Sequence, residues 1–194
     1  MPRAGLTSDR VVAAAADLAD EIGLEATTVS AVARRLGVRV ASLYSHVDGA
    51  AGLQEGMARL ALDELADRAA EALAGRSGRD ALVAFATAYR DYARAHPGRY
   101  AATRVRIAPD SPAVEAGRRH AELTLAVLRG YALEGEETVH AVRLIGSVVH
   151  GFTDLDLGGS FDHSAPSPEE SWARVLDALD HTLRSWSAAP TARP

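Results

Sequence analysis

Apolar residues recur every three or four positions along most of the chain, the spacing that gathers them on one side of an α-helix. This pattern predicts a first helix that begins at Thr7 or Ser8 and ends at Gly23. It predicts a second, short helix that begins after Thr28 and ends near Leu36. No segment shows the alternation of apolar and polar residues that indicates a strand, so the predicted fold class is all-α.

Longer apolar-periodic segments follow, separated by breaks that are rich in glycine, proline and serine. We expect helices over residues 52–73, between the breaks at 74–78 and 96–98, and over 112–131, 136–155 and 169–186. The chain is therefore predicted to divide into a three-helix head at residues 1–50, a larger helical domain at 51–187 and a disordered tail at 188–194.

The third helix of the head follows a break at Gly37 and is expected to carry Tyr44 and His46. Val38 and Leu43 can pack back onto the preceding helix. Two short helices joined by a glycine-containing turn form a helix-turn-helix, which can enter a DNA groove. The residues on or near its outward face are Arg39, Val40, Ser42, Tyr44, Ser45 and His46.

Charge is unevenly divided along the sequence. The whole chain has a net charge of -5, but residues 26–47 contain Arg34, Arg35 and Arg39 and no acid, so that window is +3. The remaining residues sum to -8. A small basic head on an acidic body is typical of a protein that touches DNA only with the head.

The helix-turn-helix segment resembles the DNA-binding domain of the TetR family of bacterial one-component repressors. The residues that carry the resemblance are Thr28, Val32, Ala33, Leu36, Gly37, Val38, Leu43, Tyr44, His46 and Leu53. Two positions depart from the family: Val47 stands where many members have Phe, and Ala50 stands where a phosphate-contacting Lys usually opens the fourth helix. The resemblance implies a repressor that binds a palindromic double-stranded DNA operator as a homodimer and is released by a small-molecule effector. A cytoplasmic location is expected because the N-terminal residues MPRAGLTSDR do not have the apolar core of a signal peptide.

The larger domain resembles the ligand-binding and dimerisation domain of the same family. It is similar in particular to the WHG-type subgroup, whose penultimate helix has a His-Gly pair followed by an acidic segment. The corresponding residues here are His150, Gly151, Asp154 and Asp156. The subgroup's Trp before the His has no obvious counterpart in LIGSVVHG.

The outward residues of the helix-turn-helix predict two kinds of DNA contact. Arg39 and Ser42 are expected to reach base edges, and Val40 is expected to touch a thymine methyl group. The residues expected at or beside phosphates are Thr28, Tyr44, Ser45 and His46. The alternative for Tyr44 and His46 is that they cover the core of the small head.

An effector pocket is expected in the larger domain, where aromatic and polar residues recur at helical spacing. Burial of polar groups such as Tyr89, Arg104 and His120 is costly unless they pair with one another or with a ligand. The candidate pocket residues are Phe85, Tyr89, Tyr92, Tyr100, Arg104, His120, Leu123 and His150. The alternative is that the aromatic residues among them are ordinary core.

The last two helices have broad apolar faces that could pair with those of a second copy. The face residues are Val139, Val142, Ile145, Gly146, Val149 and Phe152 on one helix and Trp172, Leu176, Leu179 and Leu183 on the other. The alternative is that these faces close the core of a single chain.

Other function classes have little support in the sequence. A glycine-rich phosphate loop, His-Glu-x-x-His and Gly-x-Ser-x-Gly are absent, so we expect neither an enzyme nor a cofactor. Cysteine is also absent, which excludes disulfides and thiolate metal sites. No apolar run is long enough to span a bilayer. Two alternatives stay open. One is a divalent metal bound by His150, Asp154 and Asp156, although Asp156 lies on a different helical face from the other two. The other is a ligand carrier or interaction module of the same fold that binds no DNA.

Overall fold

A computed structural model describes residues 5–106, 108–109, 111 and 113–188, the side chains of 187 and 188 excepted. All regular secondary structure in this part of the chain is helical, which confirms the all-α prediction. The α-helices are α1 (Ser8–Ile22), α2 (Val29–Leu36), α3 (Val40–Leu43), α4 (Gly49–Leu73), α5 (Gly78–Ala95), α6 (Pro97–Ala102), α7 (Ala113–Leu128), α8 (Glu136–Leu157) and α9 (Pro168–Ala188). A 3-10 turn at Arg129–Tyr131 follows α7.

The ends of α1 and α2 are set by the capping residues that the sequence predicts. The Thr7 hydroxyl accepts a hydrogen bond from an amide in the first turn of α1, and the Thr28 hydroxyl does the same for α2. Gly23 and Gly37 follow these helices with positive φ angles of 86° and 67°, which glycine adopts without steric cost. Both predicted helices are confirmed.

The chain divides into two compact units. The first unit comprises Met1–Ala66 and Tyr92–Arg118, and the second unit comprises Asp67–Asp91 and Arg119–Pro194. The boundary that the sequence places at residue 50 coincides with the start of α4 rather than with a border between units. The predicted tail overlaps the last residue of α9, Ala188, and its residues 189–194 lie outside the described residues.

One apolar core runs through the first unit. Its largest fully buried side chains come from α1, α2, α3 and α4, and Ala102 adds a contribution from α6. They include Val11, Val32, Leu43, Leu53 and Met57. Burial of these side chains stabilises the three helices of the head, of which α2 and α3 are too short to be stable alone.

Helix α6 is fixed on α1 by a close approach and by polar contacts. A Cβ atom added at Gly98 would lie 2.0 Å from the carbonyl carbon of Ala19. The Asp20 carboxylate accepts hydrogen bonds from the Arg99 amide (2.9 Å) and guanidinium (2.6 Å), and it lies 3.0 Å from Nδ1 of His96. The position of α6 therefore depends on a glycine and on one carboxylate of α1.

A buried arginine joins three helices of the second unit. Nε of Arg90, on α5, donates to the Asp156 carboxylate of α8 at 3.0 Å, and both side chains are less than one tenth exposed. The guanidinium carbon lies 5.4 Å from the ring centroid of Phe152 and 5.5 Å from that of Trp172, on α9. A terminal nitrogen of Arg90 also lies 3.3 Å from the exposed Glu169 carboxylate. These contacts satisfy the charge of Arg90 inside an otherwise apolar region.

Candidate nucleic-acid interface and candidate ligand cavity

The helix-turn-helix that the sequence predicts is formed by α2, a turn at Gly37 and α3. The second of these helices is shorter than predicted, because α3 spans only Val40–Leu43 and the next three residues form a turn. The chain reverses here before α4, which begins at Gly49 with a φ of 63°. Tyr44 and His46 therefore lie in the turn rather than on the helix.

Tyr44 points away from the head's core. It is 60% exposed, whereas Leu43 before it and Val47 after it are buried. One interpretation of the sequence is that Tyr44 covers the core of the head. Its exposure argues against that interpretation. The other exposed residues of this surface are Arg39, Ser42 and Ser45, and Val40 is half-buried.

His46 has different surroundings from Tyr44. It is half-buried and lines an open cleft of about 240 Å³ together with Asp9, Asp48 and Glu55. Arg59 lines the same cleft. The carboxylates beside His46 repel a phosphate, so the structure favours a phosphate contact less for His46 than for Tyr44.

Thr28 is exposed at the start of α2, where its hydroxyl oxygen accepts the Ala31 amide at 3.1 Å. A hydroxyl both accepts and donates, so the hydrogen of this group can still be donated to another acceptor. The first amides of a helix have no acceptor within the helix, so they bind capping groups and attract anions. Thr28 thus combines its capping role with a geometry that suits a phosphate.

The positive charge of the head is smaller than the sequence window suggests. Arg35 donates two hydrogen bonds of 2.6 Å to the Glu21 carboxylate, and this pairing holds the pKa of Glu21 below its ordinary value. Glu21 lies outside the window of residues 26–47, so counting charges there misses it. Arg34 and Arg39 are both exposed, as is Ala50, the position where the family usually has Lys.

A cavity of about 200 Å³ lies within the second unit. Phe85 and Tyr89 reach it from consecutive turns of α5, His120 reaches it from α7, and His150 reaches it from α8. These four residues are candidates from the sequence, and the fold brings them together. The remaining lining residues are Ala121, Thr124, Val142, Ile145, Gly146 and Val149.

The polar side chains of the cavity are held close to one another. The Tyr89 hydroxyl is hydrogen-bonded to Nδ1 of His120. The rings of His120 and His150 lie edge-on to the Tyr89 ring, with centroids at 5.7 Å and 5.9 Å, and the Phe85 ring centroid is 4.6 Å away. Thr124 donates its hydroxyl to the His120 carbonyl at 2.9 Å. The cavity thus has a Tyr-His-His group on one side and carbon atoms over most of the rest.

Four candidate pocket residues do not line the cavity. Tyr92 and Tyr100 are buried in the first unit, where the Tyr92 hydroxyl donates to Glu64 at 2.8 Å. Arg104 is exposed and stacks over the Tyr100 ring, with its guanidinium carbon 4.9 Å from the centroid. Leu123 lies on α7 beside the residues that do line the cavity. The apolar face of α5 runs through both units, so the spacing of its aromatic residues does not show which of them line the same cavity.

The predicted dimer faces of α8 and α9 are largely used inside the second unit. Ile145, Val149, Leu176 and Leu183 are buried there, which agrees with the alternative interpretation for these residues. An open apolar groove of about 220 Å³ lies on the neighbouring positions of the same helices. Its lining residues are Leu144, Val148, Val175, Ala178, Leu179 and Thr182, of which only Leu179 is among the predicted face residues.

One carboxylate of the acidic segment after His150 forms an ion pair within the second unit. Asp156 is buried against Arg90, which accounts for its carboxylate without a metal. Among the described residues, no group of three or more histidine and carboxylate side chains is placed to hold a metal ion. In that same part of the chain, no helix combines the length and apolar character needed to cross a membrane.

Two segments of the chain match known protein families. Residues 11–48 match the family described as bacterial regulatory proteins of the tetR family. Residues 82–179 match the tetracyclin repressor-like C-terminal domain. The first segment contains the helix-turn-helix, and the second contains the cavity and much of the groove.

Relatives extend the similarity over most of the chain. An HTH-type transcriptional regulator of Mycobacterium tuberculosis, Rv0681, is 36% identical over 161 residues, which is 82% of this chain and 74% of the relative. YobS, an HTH-type transcriptional regulator of Bacillus subtilis, is 31% identical over 95% of this chain and 93% of its own length. A TetR variant from Acinetobacter baumannii, solved in complex with minocycline, has the same fold with a TM-score of 0.73 and 21% identity, over 95% of this chain and all of that one.

Proposed function

The chain belongs to the TetR family of bacterial DNA-binding transcriptional regulators, and from that premise we propose that it is a repressor which a small-molecule effector releases from its operator. The observation that carries the proposal is the exposed surface formed by Arg39, Ser42 and Tyr44 on a helix-turn-helix. A tyrosine that is 60% exposed leaves most of its surface open to contact with a partner.

In this proposal, some residues of the exposed surface contact bases and others contact phosphates. Arg39 and Ser42 read base edges in the major groove, and Val40 contacts a thymine methyl group. Thr28 and Tyr44 bind phosphates and fix the register of the head on the duplex. Ser45 donates its hydroxyl to the Ser42 carbonyl at 3.0 Å, which stiffens the turn that presents Tyr44.

Substituting Arg39 with methionine is expected to weaken binding to a specific site by about 1–3 kcal/mol and to relax specificity at one base pair. The reason is that a methionine side chain is also long and unbranched but cannot donate a hydrogen bond to a guanine. The measurement is fluorescence anisotropy with the DNA that flanks the chain's own coding sequence, alongside single-base variants of that site.

The matched control is Arg118→Met, which removes the same charge from an exposed position on α7, outside the helix-turn-helix. It should leave affinity and specificity nearly unchanged. If Arg39→Met weakens binding equally on every DNA sequence, Arg39 is a phosphate contact and its proposed role is wrong.

Two copies of the chain are needed to read a two-fold operator, since one small head contacts only one half-site. The apolar groove on α8 and α9 is the surface that fits a second copy, because it is almost free of polar atoms and both helices present it. Leu155, beyond the groove on α8, is 50% exposed and extends the same apolar character. We assign this surface to the homodimer.

Val148→Glu is expected to convert the dimer into a monomer, because the substitution buries an unpaired carboxylate in the interface. Sedimentation velocity at micromolar concentration measures the change. Leu125→Glu is the control: it places the same charge at a 42% exposed leucine of α7 that does not line the groove. A wild-type chain that sediments as a monomer would refute the homodimer itself.

The effector is proposed to bind in the cavity lined by Tyr89, His120 and His150. The Acinetobacter baumannii protein of the same fold was solved in complex with minocycline. This supports a small-molecule effector for the present chain but does not identify that effector. Helices α4, α5 and α7 each contribute residues to both units, so a ligand that favours one arrangement of the second unit can bias the first. Release of DNA is then a shift in population between head spacings that fit the operator and those that do not.

A ligand carrier or interaction module of the same fold is the second candidate function. The observations that favour it are Ala50 in place of a phosphate-binding Lys and the pairing of Arg35 with Glu21. Fewer phosphate contacts lower both the affinity for DNA and its salt dependence. Binding assays at low and at moderate salt separate the two functions, because a carrier shows no binding to DNA at either.

A further inference from the structure

The walls of the cavity in the second unit carry no permanent charge. Among the described residues, none that lines the cavity is an aspartate, a glutamate, an arginine or a lysine. A charged ligand would lose hydration on entry and meet no fixed opposite charge, and burial of an unpaired charge is costly. The composition of the walls therefore disfavours anions and cations alike.

The polar groups of the walls have partners within the protein. The Tyr89 hydroxyl is hydrogen-bonded to Nδ1 of His120, and the Thr124 hydroxyl donates to the His120 carbonyl. The His150 ring lies edge-on to the Tyr89 ring, with 5.9 Å between centroids. Tyr89, His120 and His150 also have additional polar or ring contacts. A strongly polar ligand would give up its hydrogen bonds to water on entry and find groups that are already bonded.

Two kinds of apolar surface line the cavity. The rings of Phe85 and Tyr89, on α5, are tilted against each other with 4.6 Å between centroids. Val142, Ile145 and Val149 add aliphatic carbon from α8. Burial of a carbon skeleton against such surfaces is favourable roughly in proportion to the apolar area removed from water. The walls are therefore suited to a ligand that is mostly hydrocarbon.

Gly146 leaves one side of the cavity without a side chain. It lies on the same face of α8 as Val142, four residues earlier, and His150, four residues later. Gly146 has no positive φ, and a Cβ atom built there would meet nothing within 4 Å. Neither the backbone conformation nor helix packing requires glycine at this position. A larger residue would take up space in the cavity.

We propose that the cavity binds a small uncharged molecule with an apolar skeleton of about one ring, and that Gly146 provides the room for it. This inference rests on the proposed function, since it names the chemical class of the effector at the same site. The cavity has a volume of about 200 Å³. An apolar cavity of about 150 Å³ is large enough to hold benzene, so one ring with a small substituent fits, whereas drug-sized ligands usually need more volume.

Calorimetry on the full chain at pH 8 with toluene, benzyl alcohol, benzoate and benzylamine tests the class of ligand. The four probes share one ring, and their substituents are uncharged in the first two, anionic in benzoate and cationic in benzylamine. We expect the uncharged probes to bind at least about tenfold more tightly than either ion, because only the ions must lose the hydration of a full charge. Binding of benzoate or benzylamine as tight as that of toluene, or no binding of either uncharged probe at millimolar concentration, would overturn the proposal.

Variants at Gly146 test whether the ring binds in this cavity. Gly146→Leu should reduce toluene affinity at least about tenfold, because the leucine side chain fills much of the volume. Gly146→Ala should cause a smaller loss, and it keeps the chain folded because alanine is the better helix former.

The matched control is Gly117→Leu, on α7. A Cβ atom at Gly117 also meets nothing within 4 Å, but Gly117 does not line the cavity. This variant should retain the toluene affinity of the wild type. Unchanged toluene affinity in both Gly146 variants, or an equal loss in Gly117→Leu, would show that the ring does not bind beside Gly146.

The DNA-binding function is tested by a different experiment, so the two failures can be told apart. A gel shift with the unliganded protein shows whether the chain binds its operator, whatever the cavity holds. Toluene binding without DNA binding would leave the cavity assignment standing and remove the repressor. DNA binding by a protein that prefers benzoate or benzylamine would do the reverse.

Discussion

Arg90→Met is expected to lower the free energy of unfolding by about 3–5 kcal/mol, because it removes the guanidinium that pairs with the buried Asp156 carboxylate. Both side chains of the pair are less than one tenth exposed, so water cannot replace the lost hydrogen bond. Methionine also gives up the stacking of the guanidinium on Phe152 and Trp172. Urea denaturation followed by far-UV circular dichroism measures the effect.

The second unit provides a matched control for this substitution on the same helix. Arg79 pairs with Asp177 at 2.5 Å, but both side chains are about half exposed. Arg79→Met should therefore change stability little, since exposed ion pairs are screened by water and salt. If the two variants are equally stable, burial of the Arg90–Asp156 pair does not increase its contribution to the free energy of unfolding. A double variant, Arg90→Met with Asp156→Leu, should recover much of the loss by removing the buried charge as well.

Gly98→Ala is expected to lower the free energy of unfolding by up to about 3 kcal/mol, near the upper end of the cost of overpacking. The added Cβ atom would lie 2.0 Å from the carbonyl carbon of Ala19 and 2.1 Å from its oxygen. These are backbone atoms and cannot rotate away, so α6 must move off α1 and strain the hydrogen bonds between Asp20 and Arg99. Thermal unfolding followed by circular dichroism measures the loss.

The control for Gly98→Ala is the same substitution at Gly117, in α7. A Cβ atom there meets nothing within 4 Å, and Gly117 has no positive φ. Gly117→Ala should therefore be neutral or should stabilise the chain by up to about 1 kcal/mol, the usual gain from alanine in a helix. A neutral Gly98→Ala would show that α6 does not sit as closely on α1 as the structure has it.

Local chemistry makes the helix ends predictable from the sequence. Thr7, Thr28, Gly23 and Gly37 act within one turn of their own position, so no tertiary contact is needed to interpret them. The exception is α3, which the apolar pattern extends to His46. There the chain must turn to start α4, and a four-residue helix has too little periodicity to show where it stops.

The function of apolar faces is harder to predict, because core, cavity and interface use the same residue types. The apolar pattern places Val142, Ile145 and Val149 at a dimer interface, but all three line the cavity. They lie on the same side of α8 as His150, and this helical spacing is the signal that could have placed them. The groove residues Leu144 and Val148 lie on the neighbouring face, and only tertiary packing distinguishes the two.

Long-range charge pairs cannot be read from the sequence. Arg35 and Glu21 are 14 positions apart and belong to different helices, so counting charges between residues 26 and 47 overestimates the free positive charge of the head. The same holds for Arg90 and Asp156, which are 66 positions apart. Side chains at such separations meet only because the helices pack, which periodicity alone does not determine.

A protection experiment on the DNA that flanks the chain's own coding sequence tests the central claim most directly. Hydroxyl-radical cleavage should reveal two symmetric protected patches, about 34–36 Å or a multiple of that apart, the distance between successive major grooves on one side of the duplex. Protection should persist at moderate salt in the wild type and weaken in Arg39→Met. Absence of any protection at low salt would contradict the assignment as a repressor and favour a ligand carrier with the same fold.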